Sequence, residues 1–293
     1  MEQQFGPVRF IPGKRSGRYP YSHSLYIEAE TKVLIDAASN DKRLTEIRDS
    51  PGVDAVWLTH WHEDHFKYLH LFDDRELWIS EKDAVPLSSL DAFFDAYGMN
   101  PEERQAWIPI MDKAFHFKPR KPHRVFNGKS IIDLGGITLE TIPTPGHTPG
   151  HCALFFQEQG ILFLGDYDLS KFGPWYGDRD SDIDAVIASV NCLRAIPAQI
   201  WITAHEQGVF PQEPADLWDK YLAVIDRREQ KLVDILKVPR SLNDVVEARI
   251  IYGRKREPAI FYDFGERSMM GKHLERLIRT GSVQFDGINY SLI

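Results

Sequence analysis

Short apolar runs alternate with longer amphipathic segments along most of the chain. Runs of a few apolar residues, bounded by Gly, Pro or charged residues, are typical of strands that pack inside a sheet. Strands are therefore predicted at Ser24–Ile27, 32–37, 54–59, 77–80, 130–134, 137–142, 153–156, 161–164 and 200–203. A short polar segment, Gln157 to Gly160, separates 153–156 from 161–164, so the two strands are expected to pair as a hairpin.

Helical spacing of apolar residues dominates three regions between the predicted strands. Residues 81–118 form a helical insertion in which Asn100 caps a helix and Pro101 occupies its first turn. Ser181 is the predicted cap of another helix, whose apolar positions follow with a helical period. A long helix is predicted to begin at Pro214 and to continue to about residue 237.

The pattern changes after residue 237. From there to the end of the sequence, it predicts two helices followed by a hairpin. A helix starts at Ser241 and ends near Gly253, a second covers 266–280, and the final residues alternate around the turn Asp286-Gly287. This order is typical of a winged-helix module. The predicted organisation is therefore a larger domain at 1–236 and a small winged-helix-like segment at 237–293.

Composition and charge narrow the class of protein. The chain has 293 residues, 43% of them hydrophobic, and a formal net charge of -8 with a pI of about 5.8. An acidic surface argues against sequence-independent binding to nucleic acid or anionic membranes, but it says little about a small-molecule substrate. The first twenty residues lack the apolar core of a signal peptide and no run could cross a membrane, which predicts a cytoplasmic protein.

The segment LTHWHEDHF, residues 58–66, concentrates ligand-type side chains immediately after a predicted buried strand. His60, His62, Asp64 and His65 converge where that strand ends, and imidazole and carboxylate groups are ligands for first-row transition metals. The spacing differs from the metalloprotease helix motif, in which two histidines lie four residues apart. The segment therefore predicts a metal site of another kind.

The pattern H-x-H-x-D-H resembles the signature of the metallo-β-lactamase superfamily. Further stretches match in the same order along the chain: TIPTPGHTPGH (141–151) carries His147, LFLGDYD (162–168) carries Asp166, and IWITAHE (200–206) carries His205. KVLIDAAS (32–39) resembles the early strand whose aspartate, here Asp36, supports the site. The resemblance implies an α/β fold, a four-layer αββα sandwich with the winged-helix-like segment attached.

Carried over residue by residue, the resemblance implies two divalent metal ions. One ion is held by His60, His62 and His147, the other by Asp64, His65 and His205, and Asp166 bridges them. Zinc is the expected metal, with iron and manganese as alternatives because mixed histidine and carboxylate ligands suit all three.

The same resemblance implies a metal-dependent hydrolase whose nucleophile is a hydroxide between the two ions, oriented by Asp64. An aspartate at position 166 separates the chain from the best-known β-lactamases and favours the glyoxalase-II-like branch. The end of the chain resembles the β-lactamase-like protein 2 group, which includes an endoribonuclease. A small ester, thioester or lactone is the preferred substrate, although the residues after Asp166 do not resemble a glutathione-binding sequence.

Several alternatives stay open on sequence alone. The same ligands could serve a nuclease or phosphodiesterase acting on RNA, or an iron-dependent persulfide dioxygenase-like or electron-transfer protein. The C-terminal segment could cover the site or make a homodimer contact. Near the ligands, His151 is expected to pack or hydrogen-bond beside the site and Glu63 to be solvated or supporting. Trp175 and Tyr176 are candidates for the pocket rim.

Overall fold

In the computed structural model, which describes residues 1–293, seven strands form the first sheet in chain order. They are β1 (Gln3–Phe5), β2 (Val8–Ile11), β3 (Ser24–Ile27), β4 (Val33–Ile35), β5 (Ala55–Trp57), β6 (Glu76–Ser80) and β7 (Arg124–Phe126). Strands β1 to β4 are antiparallel, whereas β4 to β7 are parallel. The strands predicted at Ser24–Ile27, 32–37, 54–59 and 77–80 are confirmed, and β1, β2 and β7 were not predicted.

Six strands form the second sheet, in the order β13-β12-β11-β10-β9-β8. They are β8 (Ser130–Asp133), β9 (Thr138–Pro143), β10 (Cys152–Phe156), β11 (Ile161–Phe163), β12 (Ile200–Ile202) and β13 (Val209–Phe210). The predicted hairpin is the antiparallel pair β10 and β11, and only β11 and β12 run parallel. A two-residue strand such as β13 has no sequence pattern of its own, which explains why it was missed.

Eight helices connect and cover the sheets. They are α1 (Asp41–Asp49), α2 (Glu63–Phe66), α3 (Leu90–Tyr97), α4 (Pro101–Lys113), α5 (Ile183–Arg194), α6 (Ala215–Ile235), α7 (Leu242–Glu247) and α8 (Ala259–Arg279). Asn100 caps α4 in a capping box with Glu103, as predicted. The predicted cap of α5 is wrong, because Asp182 accepts the hydrogen bond from the Ala185 amide while the hydroxyl of Ser181 donates to the carbonyl of His147.

The two sheets face each other and helices cover both outer surfaces. Alternate side chains of each strand point to opposite faces, so Ile35 of β4 packs between the sheets whereas its neighbour Leu34 packs under the helices. In the second sheet Phe163 faces inward and Leu162 faces the outer helices. The result is the predicted four-layer αββα sandwich, with a separate core between each pair of layers.

The C-terminal residues contain the predicted order of helix, helix and hairpin. Three further strands, β14 (Arg240–Ser241), β15 (Val283–Phe285) and β16 (Asn289–Leu292), form an antiparallel sheet in the order β14-β16-β15. Helix α7 is shorter than predicted, and α8 begins at Ala259 rather than near residue 266. Phe264 and Met269 of α8 belong to cores of the sandwich itself. The boundary near residue 237 and the winged-helix assignment stay predictions.

None of the helices combines the length and the apolar character that crossing a bilayer requires.

Candidate metal centre

The predicted ligands meet at one edge of the sandwich, where several strands end. His60 follows β5, His147 lies in the loop after β9, Asp166 follows β11 and His205 follows β12. The structure brings all seven together in two groups, and within each group one ligand atom of every residue lies within 4.8 Å of the others. The first group contains His60, His62, His147 and Asp166, and the second contains Asp64, His65 and His205.

The nitrogens of the first group have the spacing of ligands on one ion. Nε2 of His60 lies 3.1 Å from Nε2 of His147. Two nitrogens bonded to one tetrahedral zinc at 2.0–2.1 Å would be about 3.3 Å apart, so this separation fits a shared ion. Nε2 of His62 is taken by a hydrogen bond to Asp178, which leaves Nδ1 of His62 to face the group.

The second group has a similar arrangement around His65. Nε2 of His65 lies 3.3 Å from Nε2 of His205, and Oδ2 of Asp64 lies 3.6 Å from the same His205 nitrogen. Asp64 and His65 belong to the one-turn helix α2, and the side chains of both residues lie at the centre. The second group therefore offers two nitrogens and a carboxylate oxygen to an ion.

Asp166 divides its two carboxylate oxygens between the groups. Oδ1 lies 2.7 Å from Nε2 of His65 and 3.1 Å from Nε2 of His205. Oδ2 lies 3.3 Å from Nε2 of His147 and 3.8 Å from Nε2 of His60. Although Oδ1 is buried, no donor points its hydrogen at it. A buried carboxylate oxygen normally has a partner, so this orphaned atom fits a cation.

Each of the five histidines has its outer nitrogen engaged by another group. This arrangement fixes the ring orientation and leaves the inner nitrogen free for an ion, as is usual in metal sites. The outer partners are the hydroxyl of Thr59 for His60, Asp178 for His62, Asp36 for His65, the carbonyl of Trp175 for His147 and the carbonyl of Gly17 for His205. The donor set therefore fits a pair of divalent ions.

Asp36 supports the centre from behind, in agreement with its predicted role. Its Oδ2 lies 2.9 Å from Nδ1 of His65, and its two oxygens accept from the amide and the hydroxyl of Thr59. Asp36 is fully buried and has a φ of 55°, a left-handed conformation that an aspartate tolerates better than most residues. These bonds hold the strained backbone and the His65 ring together.

His151 holds the backbone of Asp166, and it hydrogen-bonds beside the site as the sequence predicted. Its Nε2 accepts a hydrogen bond of 3.1 Å from the amide of Asp166, and its Nδ1 meets the hydroxyl of Thr144 at 2.8 Å. A Cβ on Gly165, where φ is 58°, would lie 2.4 Å from that Nε2. Only glycine fits between the strand and Asp166 without pushing His151 away.

Nearby carboxylates raise the pKa of three of the histidines and so favour protons on their rings. Burial disfavours a charge on His205, but Asp166 and Asp64 outweigh it and raise the pKa of His205 to about 10. Burial likewise opposes the rise in pKa of His62 to about 9, which Asp178 causes. The pKa of His65 is raised by Asp166 and Asp36 in the same way. A bound cation would take the place of these protons.

The structure defines the surroundings of three neighbouring residues, Glu63, Tyr176 and Asp178. Glu63 is buried rather than solvated, and its carboxylate accepts from the hydroxyls of Tyr19 at 2.9 Å and Tyr97 at 2.6 Å. Tyr176 is fully buried and is not a rim residue. Asp178, which sequence reasoning did not single out, contacts His62 directly. Its only sequence signal is a loop rich in aspartate, which does not show which carboxylate points inward.

The centre is open on one side. The side chains of Asp64, Asp166 and His205 are 11 to 12% exposed, whereas those of His60 and His65 are fully buried. Solvent therefore reaches the centre from the side of the second group.

Comparisons with known proteins agree with this geometry. The family model described as the metallo-beta-lactamase superfamily matches residues 18–236. The chain is 23% identical over 202 residues to the Beta-lactamase-like protein 2 homolog of Caenorhabditis elegans, covering 68% of this chain and 57% of that protein. It is 29% identical over 150 residues to the Hydroxyacylglutathione hydrolase GloC of Haemophilus influenzae, covering 48% of this chain and 63% of that protein. The chain thus spans less than two thirds of the length of either relative.

A solved structure matches the fold over nearly the whole chain. It is a metallo-beta-lactamase family protein of Thermus thermophilus, with a TM-score of 0.75 and 18% sequence identity. The match covers 98% of this chain and 99% of the other. The C-terminal residues 237–293 are therefore included in the structural likeness.

Proposed function

Because the chain belongs to the metallo-β-lactamase superfamily, we propose that it is a metal-dependent hydrolase with two divalent ions in one centre. His60, His62 and His147 would hold one ion, Asp64, His65 and His205 would hold the other, and Asp166 would contribute its carboxylate to both. Zinc is the proposed metal, since histidine and carboxylate ligands in this arrangement suit it, and iron and manganese are the alternatives.

A single observation carries this proposal: the two oxygens of Asp166 face different histidine pairs. Oδ1 is 2.7 Å from His65, and Oδ2 is 3.3 Å from His147. Two cations held close together repel each other, and an anionic ligand between them reduces that repulsion. A carboxylate with one oxygen on each side supplies this charge, whereas a neutral residue at position 166 would not.

The reaction follows from what the ions and the side chains each supply. When bound, the ions polarise the scissile carbonyl and lower the pKa of water so that it can attack near neutral pH. The histidines stay neutral and are held in place by their outer hydrogen bonds. Asp64 lies at the open side, where its carboxylate orients the attacking water and accepts a hydrogen bond from it. No serine or cysteine nucleophile is required, and the buried Cys152 has a raised pKa that keeps it protonated.

The proposed substrate is a small ester, thioester or lactone, and a thioester is the first class to test. The Haemophilus relative is named for the hydrolysis of hydroxyacylglutathione, in which the acyl group is bonded to sulfur. In this chain the ring of Tyr19 packs 5.8 Å from that of Phe261. The hydroxyl of Tyr19 also binds Glu63, which directly precedes Asp64. An acyl group could therefore pack against these rings.

Metal-reconstituted protein assayed with a substrate panel tests this function. Protein stripped with a chelator and reloaded with zinc, manganese or iron is offered esters, thioesters, lactones and phosphodiesters. We expect hydrolysis of at least one carbonyl substrate, loss of turnover with chelator and recovery with metal. Cleavage of RNA or another phosphodiester alone would support a nuclease instead. Stoichiometric oxygen uptake with a persulfide, and no hydrolysis, would support an iron dioxygenase.

A further inference from the structure

The structure assigns a positioning role to Asp178: it fixes the tautomer of His62, so that His62 offers Nδ1 to the ion of the first group. This inference rests on the proposed metal centre. It adds a residue, and the loop that carries it, to the machinery that holds one of the two ions.

Asp178 is placed as an acceptor for two N–H groups at once. Its Oδ2 lies 2.8 Å from Nε2 of His62, and its Oδ1 accepts a hydrogen bond of 2.9 Å from the indole Nε1 of Trp175. The residue is 1% exposed, so water does not compete for either oxygen. An indole nitrogen can only donate, so Oδ1 is committed to Trp175 and Oδ2 to His62.

The protonation pattern of His62 follows from this contact. A neutral imidazole carries one N–H, and a carboxylate accepts but does not donate, so the proton of neutral His62 resides on Nε2. Nδ1 then presents its lone pair to the first group. The ring of Tyr97 lies parallel to the His62 ring at 5.2 Å, with 8° between the planes, and restricts rotation of the imidazole. The hydrogen bond and the stacked ring together fix both the tautomer and the orientation.

The loop around Asp178 supports only the first group. The carbonyl of Trp175 lies 3.1 Å from Nδ1 of His147, and the hydroxyl of Ser181 donates to the backbone carbonyl of His147 at 2.6 Å. The amide of Asp178 in turn donates to that hydroxyl. The histidines of the second group are held elsewhere, by Asp36 and by the carbonyl of Gly17. A substitution at Asp178 should therefore weaken the binding of the ion in the first group and leave the binding of the other ion unchanged.

Replacement of one carboxylate oxygen by an amide makes a sharp test. In Asp178→Asn only one oxygen remains, while two N–H groups, on His62 and Trp175, still require an acceptor. If the amide faces His62, the imidazole must move its proton to Nδ1, which then cannot bind an ion. Trp175→Phe alone leaves the bond from Asp178 to His62 in place. The double variant has no indole N–H. The Asn oxygen can therefore turn to His62, and the affinity of the first group for its ion should return.

The experiment is a zinc titration of the full-length chain against a competing chelator, with ¹⁵N-histidine NMR on the zinc-loaded protein. We expect Asp178→Asn to lose about 10- to 100-fold in affinity for one ion, the usual effect of losing a group that supports a ligand, and to keep the other. Trp175→Phe and the double variant should bind both ions nearly as the wild type does. Asp180→Asn, a matched change at a largely exposed carboxylate two residues away, should change neither affinity.

Three results would overturn the inference. They are unchanged affinities in Asp178→Asn, an equal loss at both ions, or a double variant as weak as Asp178→Asn. The NMR spectrum is an independent measurement. In the wild type it should show zinc bound to Nδ1 of His62, and in Asp178→Asn this signal should be lost. A wild type that binds a single ion would refute the dinuclear proposal, and the Asp178 inference would then be decided by this NMR signal alone.

Discussion

Oδ1 of Asp166 lies 2.7 Å from Nε2 of His65, and yet this buried oxygen receives no hydrogen bond. An unpaired carboxylate oxygen inside a protein is costly, and it is tolerated where a cation is its partner. The other oxygen of Asp166 faces His147 on the opposite side. The proposed function depends on this division of one carboxylate between two sets of histidines.

Removal of Asp166 should therefore affect both ions. We expect Asp166→Ala to bind fewer than two ions per chain, because both ligand sets lose an anionic oxygen and the two cations lose the charge between them. Elemental analysis after equilibration with zinc measures the stoichiometry. Asp216→Ala, at a carboxylate 88% exposed, is the control and should bind like the wild type. Full retention of two ions in Asp166→Ala would show that this residue does not bridge.

His62 and His70 provide a matched pair of histidine substitutions. His62→Ala should reduce turnover by at least about 10³-fold, because the first ion loses one of its ligands and the reaction loses its polarising charge. His70 packs against the ring of His116 at 4.1 Å and belongs to neither ligand group. His70→Ala should keep turnover within a few-fold of the wild type. Steady-state kinetics on the best substrate of the panel makes the comparison, and equal losses would argue against the assigned ligands.

Part of the ligand set could be predicted from the pattern of the chain, and the rest from the family resemblance. A buried apolar run predicts the strand before His60, and the side chains that follow its end were expected to converge, namely His60, His62, Asp64 and His65. His147, Asp166 and His205 were expected at the site from the family resemblance. The family resemblance supplied the division into two groups. The sheet order, in contrast, depends on pairing between distant strands, and short edge strands such as Gln3–Phe5 leave no periodic signal.

The supporting residues could not be read from the sequence in the same way. Asp178, Asp180 and Asp182 lie in one irregular loop, and only the tertiary structure turns Asp178 inward while Asp182 caps a helix. Glu63 was ambiguous because its environment consists of Tyr19 and Tyr97, which come from distant segments. Such contacts depend on how loops pack, which local patterns do not encode.

Phe264 should link the C-terminal segment to the stability of the sandwich. It is 3% exposed, its ring lies 5.9 Å from that of Tyr97 and 6.4 Å from that of Trp175, and it belongs to the core beneath the first sheet. Phe264→Ala should lower the free energy of unfolding by about 3–5 kcal/mol, because it leaves a cavity. Denaturant unfolding measures this difference.

Ile278 lies on the same helix and serves as the control for Phe264. It is 42% exposed, so Ile278→Ala should change the free energy of unfolding by about 0.5 kcal/mol or less. Both variants should still bind two ions, since no residue of 237–293 belongs to either ligand group. Loss of metal from a folded Phe264→Ala protein would show that the C-terminal segment contributes more to the centre than packing.

Asp83 should make stability depend on pH. Burial raises its pKa to about 7, from an ordinary 3.8, although it accepts hydrogen bonds from Thr148 and the Gly150 amide. The folded state therefore binds more protons than the unfolded state between about pH 4 and 7, and Asp83 lowers stability as pH rises through that range. Asp83→Asn does not titrate. The free energy of unfolding of the variant, relative to that of the wild type, should therefore rise by up to ~1.4 kcal/mol per pH unit between about pH 4 and 7.

Urea unfolding at pH 4, 5, 6 and 7, with chelator present so that no ion contributes, measures this gain. A difference between the Asp83→Asn variant and the wild type that stays constant over the four pH values would contradict a raised pKa. A difference that shifts in favour of the wild type as pH rises would contradict the predicted direction of the pH dependence.

A crystal structure of the zinc-saturated protein, with anomalous data collected at the zinc edge, would distinguish a two-ion centre from a one-ion centre. We expect two anomalous peaks, one for each zinc ion, about 3.5–4 Å apart. One should lie among His60, Nδ1 of His62 and His147, the other among Asp64, His65 and His205, with one oxygen of Asp166 directed at each. A single peak at saturating zinc, with Asp166 turned away from it, would contradict the two-ion centre.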